Sequence, residues 1–367
     1  MKIKTITCHD VYNSGASLQA YALMKYLQKL GHDVQIIDYR PDYLDKHYKL
    51  FIINNPKYEK SIILKILYIT LKLPKRVLKL KYKKKYDDFT KKYLNITNKR
   101  YISNEDLKEN LPIADAYIAG SDQIWNTTFN NGKDPAFYLD FVPENKIKMS
   151  YAASFATEVI DEEFKDNTKK MINRLNSVSV RELSGLNILK SMDIKNGIQV
   201  LDPVFLLDRE EWSDLFVDIT EKEKYVFVYD FDGSEIIENL SKRIAREKNL
   251  KIYTVFKSSY ADKYIKNIGP QEFITYIKNA DYVISNSFHA TAFSIIFEKE
   301  FLVVNRKEKI NTRMRDLLIL LGIKERLIEE DIFRINLSEN INYKEVFENL
   351  DRCLKKSKKY LHESLNV

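Results

Sequence analysis

Cysteine and histidine are scarce in this chain. Its 367 residues include two cysteines and five histidines. Cys8 and Cys353 lie near opposite ends of the sequence and make no metal-ligand spacing, which is typical of a protein from a reducing compartment. No other group of residues has the spacing of a metal site, so we expect no metal ligand cluster.

The chain also lacks a recognisable signal peptide and a membrane-spanning stretch. The opening sequence MKIKTITCHDVYNSG has no long apolar centre and no small-residue cleavage site, and it is typical of a first strand. The apolar stretch around residues 61–80 is interrupted by Lys65 and Lys72 and broken by Pro74, so it is not expected to span a bilayer. We therefore expect a cytoplasmic protein.

Positive charge is concentrated in residues 57–92, which we call the basic segment. The formal net charge is +8, but the basic segment alone holds 13 Lys and Arg against three Asp and Glu, so the rest of the chain is slightly acidic. As one or two helices it would show an apolar stripe beside a cationic one. Such a stripe either lies on anionic lipid at the inner face of the membrane or packs on the first domain, and both remain open.

The order of predicted elements indicates an α/β fold with two doubly wound Rossmann-like domains facing a cleft. Length favours two domains, and strands alternate with amphipathic helices in both halves. In the first unit Ser17 is expected to cap a helix that Gly31 ends. The predicted first domain, on the acceptor side, covers residues 1–207, and a linker follows at 208–224. The predicted second domain, on the donor side, covers residues 225–340. A terminal helix at 341–367 is expected to pack back on the first domain.

Ligands of doubly wound sheets bind at the carboxyl ends of the strands, so polar residues after strands are the candidate site. After the first strand come Asn13, Ser14, Gly15 and Ser17, whose backbone N–H groups could face an anion at the start of a helix. An ordinary capped loop is the alternative. The loop has a single glycine and therefore lacks the dinucleotide-binding fingerprint.

The stretch GSDQIWN follows the apolar strand AYIA. Gly120 permits a tight departure from the strand, and the polar side chains that then reach the sheet edge are Ser121, Asp122, Gln123 and Asn126. These groups could bind sugar hydroxyls. They could equally form a hydrogen-bonded turn with Trp125 as its plug.

Two further strand ends carry Arg181 and His289. The guanidinium of Arg181 offers a planar fork for phosphate or carboxylate, with a salt bridge to Glu182 or another acid as the alternative. His289 precedes an apolar helix, where it could act as a general acid or contact phosphate, or be purely structural.

Five motifs in this order resemble the polysaccharide pyruvyl transferase family. They are GSDQIWN, SYAASFA, SVRE, VLDPVFLL and SFHATAFSIIF, and NSGASLQAYAL near the amino terminus is similar as well. The resemblance covers most of the chain. It implies a glycosyltransferase-B-like enzyme that moves an enolpyruvyl unit from phosphoenolpyruvate onto two hydroxyls of one sugar, which makes a pyruvate ketal on a saccharide for the cell surface.

The resemblance also implies roles for particular residues. Arg181 matches the arginine that holds the donor, His289 the histidine near its phosphate, and Asp122 lies in the GSD signature as a base or acceptor-orienting group. No cofactor is required by this scheme beyond phosphoenolpyruvate as co-substrate. The acceptor is expected to be a saccharide or an undecaprenyl-linked saccharide, and no nucleic acid partner is expected.

The sequence departs from the family pattern at one position. Many members have an arginine two residues before the histidine, where this chain has Ser287. Ser285 and Ser287 remain expected substrate contacts, and the missing cation could come from one of four residues: Lys257, Arg306, Arg313 or Arg315. A nucleotide-sugar glycosyltransferase and a non-catalytic protein that binds membrane or nucleic acid are the alternative functions.

Overall fold

The structure is a computed structural model that describes residues 1–45, 51–53, 55–308, 311–328 and 336–365. Parts of the predicted second domain and the last two residues of the predicted terminal helix lie outside the described residues. The chain forms two parallel α/β sheets, one in each half, which confirms the predicted fold class.

The sheet of the first half has five parallel strands in the order β3-β2-β1-β4-β5. Their bounds are β1 Lys2–Ile6, β2 Asp33–Tyr39, β3 Ile96–Tyr101, β4 Ala116–Ala119 and β5 Ile147–Ser150. A short parallel pair, β6 Ser179–Val180 and β7 Ile198–Gln199, continues beyond β5 through isolated bridges. Because β2 and β4 flank β1, a crevice opens at the carboxyl ends of β1 and β4.

The described part of the first half contains seven α-helices. They are α1 Ser14–Lys29, α2 Asp42–Asp45, α3 Ile62–Leu78, α4 Leu80–Tyr93, α5 Asn104–Glu109, α6 Glu162–Ile172 and α7 Leu183–Ser191.

Helix α1 begins three residues before the expected cap. Asn13 has an extended backbone, and its side chain accepts a hydrogen bond from the amide of Ala16 at 3.2 Å. Ser17 already donates its amide to the Asn13 carbonyl, so the expectation that Ser17 is the cap is wrong. Gly31 ends the helix region with a φ of +85°, a conformation that glycine adopts without strain.

The second half repeats the same winding. Its six parallel strands, in the order β10-β9-β8-β11-β12-β13, are β8 Tyr225–Tyr229, β9 Lys251–Thr254, β10 Lys263–Tyr264, β11 Tyr282–Ser285, β12 Glu300–Val304 and β13 Leu327–Ile328. The helices are α8 Arg209–Ser213, α9 Glu235–Lys248, α10 Pro270–Asn279, α11 Phe288–Ile296, α12 Thr312–Leu321 and α13 Tyr343–Leu365. The second crevice therefore lies at the carboxyl ends of β8 and β11.

Buried side chains join the two halves. Trp212 of α8 is fully buried between Tyr21 of α1 and Phe293 of α11, with ring centroids 5.8 and 4.8 Å away. Helix α13 returns to the first sheet, where Tyr360 donates a hydrogen bond to the Ser150 carbonyl at 2.7 Å. One of the three apolar clusters contains residues of both halves, so their crevices are held facing each other.

The two helices of the basic segment differ in their surroundings. Helix α4 packs on the first half through buried Tyr86 and Phe89, whereas only Tyr68 of α3 is buried. Within the described part of the chain, neither α3 nor any other helix combines the length and the apolar character that crossing a bilayer demands.

Candidate functional site

Charged residues from six strand and helix ends meet in the cleft. We call this group the buried charge cluster, and its members are Asp122, Arg181, Glu182, Asp202, His289 and Arg313. Asp122 follows β4, Arg181 follows β6 and Asp202 follows β7, all in the first half, while His289 and Arg313 come from the first turns of α11 and α12. Residues far apart in sequence are therefore neighbours because parallel strands end at the same edge.

Asp202 lies at the centre of the cluster. Its Oδ2 accepts hydrogen bonds from Arg181 Nη1 at 2.5 Å and from Ser121 Oγ at 3.1 Å, and it lies 3.7 Å from His289 Nε2. Asp202 is fully buried, so the ion pair with Arg181 is protected from solvent screening. Asp202 belongs to the motif VLDPVFLL but has no role predicted from the sequence. The apolar residues Val200 and Leu201 before it are the one signal that could have identified it, because the strand there has only two residues.

Asp122 joins the two arginines. Its Oδ1 lies 3.7 Å from Arg181 Nη2 and 3.7 Å from Arg313 Nη1. Burial by itself would raise the pKa of Asp122, but the positive charges of Arg181 and Arg313, together with that of His289 when it is protonated, outweigh burial and lower the pKa. Asp122 is therefore an ionised carboxylate. Its φ of 73° lies in the left-handed region, and such strained residues cluster at functional sites.

Arg313 is the candidate for the missing cation that lies within the buried charge cluster. The side chain is buried, and burial together with the neighbouring charge of Arg181 lowers its pKa to about 10, so it stays charged at neutral pH. Ser287 instead caps α11 by accepting from the amide of Ala290. Phe288 lies beneath both guanidinium groups, with its ring centroid 4.4 Å from Arg181 Cζ and 5.9 Å from Arg313 Cζ.

The other three cation candidates have different surroundings. Arg315 binds Glu158 and Asp316, and Asp316 accepts from the Ser184 amide at 3.0 Å, so these contacts link α12 to α7 across the cleft. Arg306 binds Glu308 at 2.8 Å and stacks on Phe231. Lys257 lines a separate small cavity near Phe231. Of the four, Arg313 is the one that contacts Asp122.

Several buried polar atoms of the cluster make no hydrogen bond with any described residue. They are Nε and Nη2 of Arg181, Nε of Arg313, Nε2 of His289 and Oε2 of Glu182. Buried polar atoms in native proteins nearly always have partners. Three of these four residues can present donors, so the arrangement suits a small anion or a polyhydroxyl ligand bound among them.

Glu182 is held by the chain that follows β5. Its Oε1 accepts three hydrogen bonds, from Ser154 Oγ and from the amides of Phe155 and Ala156, all between 2.9 and 3.0 Å. Burial raises the pKa of Glu182, although the nearby charge of Arg181 opposes that shift. Glu182 therefore fixes the loop after β5 against the cluster.

His289 packs directly on the first turn of α1. A Cβ atom added to Gly15 would lie 2.0 Å from His289 Nδ1, so only glycine leaves room for the ring. Burial lowers the pKa of His289, and the carboxylates of Asp202 and Asp122 oppose that shift only in part. The imidazole is therefore neutral at neutral pH in the unliganded protein.

The loop before α1 serves mainly to hold this helix. Asn13 is its cap, Ser14 Oγ lies 2.9 Å from Tyr86 Oη of α4, and Ser17 is buried within the first turn. Of the residues predicted in the loop before α1, Gly15 is the one that contacts the buried charge cluster.

Ser285, the last residue of β11, bonds locally as well. Its side chain accepts a hydrogen bond from the amide of Ser287 at 2.8 Å.

The stretch GSDQIWN divides into two parts. Ser121 and Asp122 face the cluster, whereas Trp125 is fully buried, stacks on Tyr138 and donates to the Phe137 carbonyl at 3.1 Å. Asn126 is also fully buried. Its side-chain Nδ2 donates to Gln123 Oε1, and its side-chain Oδ1 accepts from the hydroxyl of Thr128. Gln123 and Asn126 thus bond within the turn, and their substrate contacts stay predictions.

Gly120 differs from the expectation as well. Its φ is not positive, and a Cβ there would approach Thr7 Cβ to 3.2 Å. The glycine therefore permits close packing of β4 on β1, while Asp122 makes the sharp turn.

Within the described ranges no three His, Cys, Asp or Glu side chains are grouped to hold a metal ion, and metal independence of the reaction stays a prediction.

The comparisons with known proteins agree with this geometry. A sequence model described as polysaccharide pyruvyl transferase matches residues 13–308. No curated protein matches the chain. Among solved structures, UDP-N-acetylglucosamine 2-epimerase from Rickettsia bellii is 14% identical with a TM-score of 0.52, covering 100% of this chain and 96% of its own.

Two further solved structures are similar at lower TM-scores. UDP-GlcNAc 2-epimerase from Neisseria meningitidis bound to UDP-GlcNAc is 11% identical with a TM-score of 0.45, over 99% of this chain and 94% of its own. The E. coli heptosyltransferase WaaC with ADP is 9% identical with a TM-score of 0.41, over 96% and 100%. The two parallel α/β halves and the fold likeness to the Rickettsia bellii epimerase agree with the predicted glycosyltransferase-B-like arrangement.

Proposed function

Because the chain belongs to the polysaccharide pyruvyl transferase family, we propose that it transfers a pyruvyl group from phosphoenolpyruvate to two hydroxyls of one sugar. The product is a pyruvate ketal on a surface polysaccharide or its lipid-linked precursor, and phosphate is released. The observation that supports this most directly is the set of unpartnered donors of Arg181, Arg313 and His289 around one point of the cleft.

The reaction needs one proton transfer to carbon and two carbon–oxygen bonds. First, the methylene carbon of the donor takes up a proton, and a sugar hydroxyl oxygen bonds to the adjacent carbon as its own proton leaves. A second hydroxyl oxygen then bonds to that carbon as the bond to phosphate breaks, and phosphate leaves with the electron pair. The two hydroxyl protons balance those gained by the methyl group and by phosphate.

The cluster supplies groups suited to each step. Arg181 and Arg313 hold the carboxylate and phosphate of the donor through the guanidinium N–H groups that donate no hydrogen bond to a described residue. Asp122 is ionised and accepts the proton of the attacking hydroxyl or orients it. His289 takes up a proton when the donor binds, because a bound anion stabilises the imidazolium, and it then protonates the methylene carbon or contacts phosphate.

Charge balance explains why His289 would need that proton. The fixed charges of Arg181 and Arg313 are countered by Asp122 and Asp202, which lie within 3.7 Å of the guanidinium groups. A multiply charged donor anion therefore gains most from an additional positive charge. The neutral imidazole of the unliganded protein is positioned to provide it.

The test is incubation with phosphoenolpyruvate and a panel of saccharides and saccharide-lipids, with phosphate release and product mass as readouts. We expect phosphate release that depends on both substrates and a product heavier by one pyruvyl ketal. UDP release from UDP-sugars, with no phosphate from phosphoenolpyruvate, would instead identify a glycosyltransferase. His289→Gln is the matched control, since it keeps the size of the side chain but cannot become cationic.

We also propose that α3 lies on an anionic membrane surface, which would bring the enzyme to a lipid-linked acceptor. Its apolar side chains face solvent: Ile63 and Leu78 are each 75% exposed, and Ile62, Ile66 and Leu71 are mostly exposed as well. Lys65, Lys72 and Lys75 lie on the same helix. An exposed apolar face flanked by lysines suits the interface of an anionic bilayer.

Helix α4 has a different role in this proposal. Lys83 and Lys84 bind Asp87 and Asp88 of the same helix, and Lys85 binds Glu272 of α10, so their charges are already paired. Vesicle pelleting should therefore fall with Ile63→Asp/Leu71→Asp and with Lys65→Glu/Lys72→Glu/Lys75→Glu. The matched controls are Ile113→Asp and Lys355→Glu/Lys356→Glu/Lys359→Glu. Pelleting that is unchanged in the α3 variants would reject membrane attachment.

A further inference from the structure

Two exposed phenylalanines lie at the carboxyl edge of the second sheet. Phe231 follows β8 and Phe256 follows β9, and they are 37% and 40% exposed. Their ring centroids are 5.4 Å apart, and both pack on the buried ring of Tyr229 at 5.0 and 5.4 Å. We call Phe231 and Phe256 the phenylalanine pair. Because both rings pack on Tyr229, the pair presents apolar surface at this edge of the sheet without belonging to the core.

A cavity of about 160 Å³ lies beside the phenylalanine pair. Small-molecule pockets are typically ~300–1,000 Å³, so this cavity suits one ring of a larger ligand. Polar side chains line it as well: Asp230, Thr254, Lys257, Ser258 and Tyr260. Hydroxyl, ammonium and carboxylate groups together can both donate and accept, which matches the hydroxyl edge of a sugar.

The pair is connected to the buried charge cluster through Arg306. The guanidinium carbon of Arg306 lies 4.8 Å from the ring centroid of Phe231. The Arg306 amide donates to Asn311 Oδ1 at 2.7 Å, and Asn311 directly precedes α12, whose Arg313 contacts Asp122. A ring stacked on Phe231 would therefore lie at the same carboxyl edge of the second sheet as Arg313, which is proposed to hold the donor.

We propose that the phenylalanine pair and its cavity form a subsite for one sugar ring of the acceptor saccharide. The inference rests on the proposed function, and it places part of the acceptor on the second half of the chain. The C–H face of a pyranose packs on the aromatic rings, while its hydroxyls reach the polar side chains of the cavity.

The local charges favour a saccharide over a nucleotide, because the acids Asp230, Asp232 and Glu308 outnumber the cations Lys257 and Arg306. Asp230 lines the cavity, and Asp232 lies 3.5 Å from Arg306 Nη2. Glu308 also binds Arg306, so two carboxylates already counter this cation. A diphosphate would lie beside these acids, whereas a neutral sugar would not be repelled by them.

The experiment compares the unmodified chain, Phe231→Ala/Phe256→Ala and Tyr264→Ala. Tyr264 is the control because it is an exposed aromatic of the same sheet that does not line the cavity. Saturation-transfer NMR is recorded with methyl galactoside, N-acetylmannosamine and UDP as probes. We expect sugar binding that the double variant weakens at least about tenfold and Tyr264→Ala leaves unchanged. Stabilisation against heat by phosphoenolpyruvate should be equal in all three proteins.

Each other outcome overturns the subsite. Equal sugar binding by the double variant, binding of UDP alone through the phenylalanine pair, or no sugar binding by the unmodified chain would each contradict it. Failure of the proposed function is read separately, from product mass. Pyruvyl transfer with an unchanged acceptor KM in the double variant would reject the subsite alone, whereas pair-dependent sugar binding without any pyruvyl transfer would reject the function alone.

Discussion

The buried charge cluster and the basic segment both contain many cations, but their surroundings are opposite. Arg181 is buried with carboxylates at 2.5 to 3.8 Å on three sides, whereas Lys65, Lys72 and Lys75 lie on a helix with one buried residue. In the cluster each cation has a fixed position and a nearby acid. On α3 the charges are accompanied by exposed apolar side chains.

This difference separates chemistry from association. A charge in a buried site that excludes water interacts strongly with a ligand at one position, and salt screens that interaction little. Exposed lysines contribute roughly 1 kcal/mol each near an anionic surface, and salt screens them strongly. We therefore expect substitutions in the cluster to change turnover and substitutions on α3 to change where the protein binds.

The largest effect is expected from the cluster itself. His289→Ala and Arg181→Lys should each lower kcat/KM for phosphoenolpyruvate by at least about 100-fold, because they remove the acid and the bidentate fork. Arg181→Lys is preferred to Arg181→Ala, which would leave Asp202 buried without a cation and cost about 3–5 kcal/mol of stability. Steady-state kinetics with a thermal-unfolding check for each variant measures this. Near-normal rates in both variants would reject the site assignment.

A smaller loss is expected when the support of His289 is changed. Gly15→Ala would place a Cβ atom 2.0 Å from His289 Nδ1, so the ring must leave its present position beside Asp202. Displacing a catalytic group by about 1 Å can cost ~100-fold, and we expect a 10- to 100-fold loss of kcat. The matched control is Gly31→Asn at the other end of α1, where nothing lies within 4 Å of the added atom. A Gly15→Ala enzyme with full activity would mean that the His289 ring position is unimportant.

The pH dependence of donor binding should show the protonation of His289. Burial holds the pKa of the unliganded imidazole below its usual 6.5, and a bound anion raises it. At a pH between the pKa of the free protein and the pKa of the complex, binding therefore takes up a proton. Affinity for phosphoenolpyruvate falls as the pH rises through this range up to the pKa of the complex, by up to about tenfold per pH unit.

Calorimetry in buffers of different ionisation enthalpy counts that proton. On binding phosphoenolpyruvate, His289→Gln should take up fewer protons than the unmodified protein and show a correspondingly shallower pH dependence. Some pH dependence should remain, because the donor itself titrates. The same proton uptake by both proteins would assign the change to another group.

The smallest effect on turnover is expected from α3. Lys65→Glu/Lys72→Glu/Lys75→Glu should leave kcat with a soluble saccharide within about twofold of normal, since solvent surrounds these side chains. The same variant should lose activity on a vesicle-borne acceptor, and added salt should weaken the unmodified enzyme in the same assay. Equal loss on both acceptors would remove the distinction between the two regions.

Most of the architecture was predictable because it depends on local patterns. Alternating strands and amphipathic helices, with the polar residues placed after strands, indicated both sheets and the edge where the site lies. Arg181, His289 and Asp122 were identified in this way, and the structure brings them together. Asn126 and Ser17 were assigned from their polarity and position, but both are buried and bond within their own turn or helix.

The choice of partners was not predictable from local patterns. Asp202 follows a two-residue strand, too short to give a periodic signal, yet it binds Arg181 across 21 positions of sequence. Arg313 was one of four possible cations, and only the packing of α12 in the cleft selects it. A glycine at position 15 gives no hint of its contact with residue 289.

The sequence alone determined the winding of the two halves, the family, and the concentration of charge in one segment, because each of these follows from the order and spacing of residues along the chain. Tertiary structure decided which acid balances each arginine, which glycine makes room for the imidazole, and which face of the basic segment stays exposed. Those outcomes depend on distances of a few ångströms between distant parts of the chain, and such distances are set only when the whole core packs.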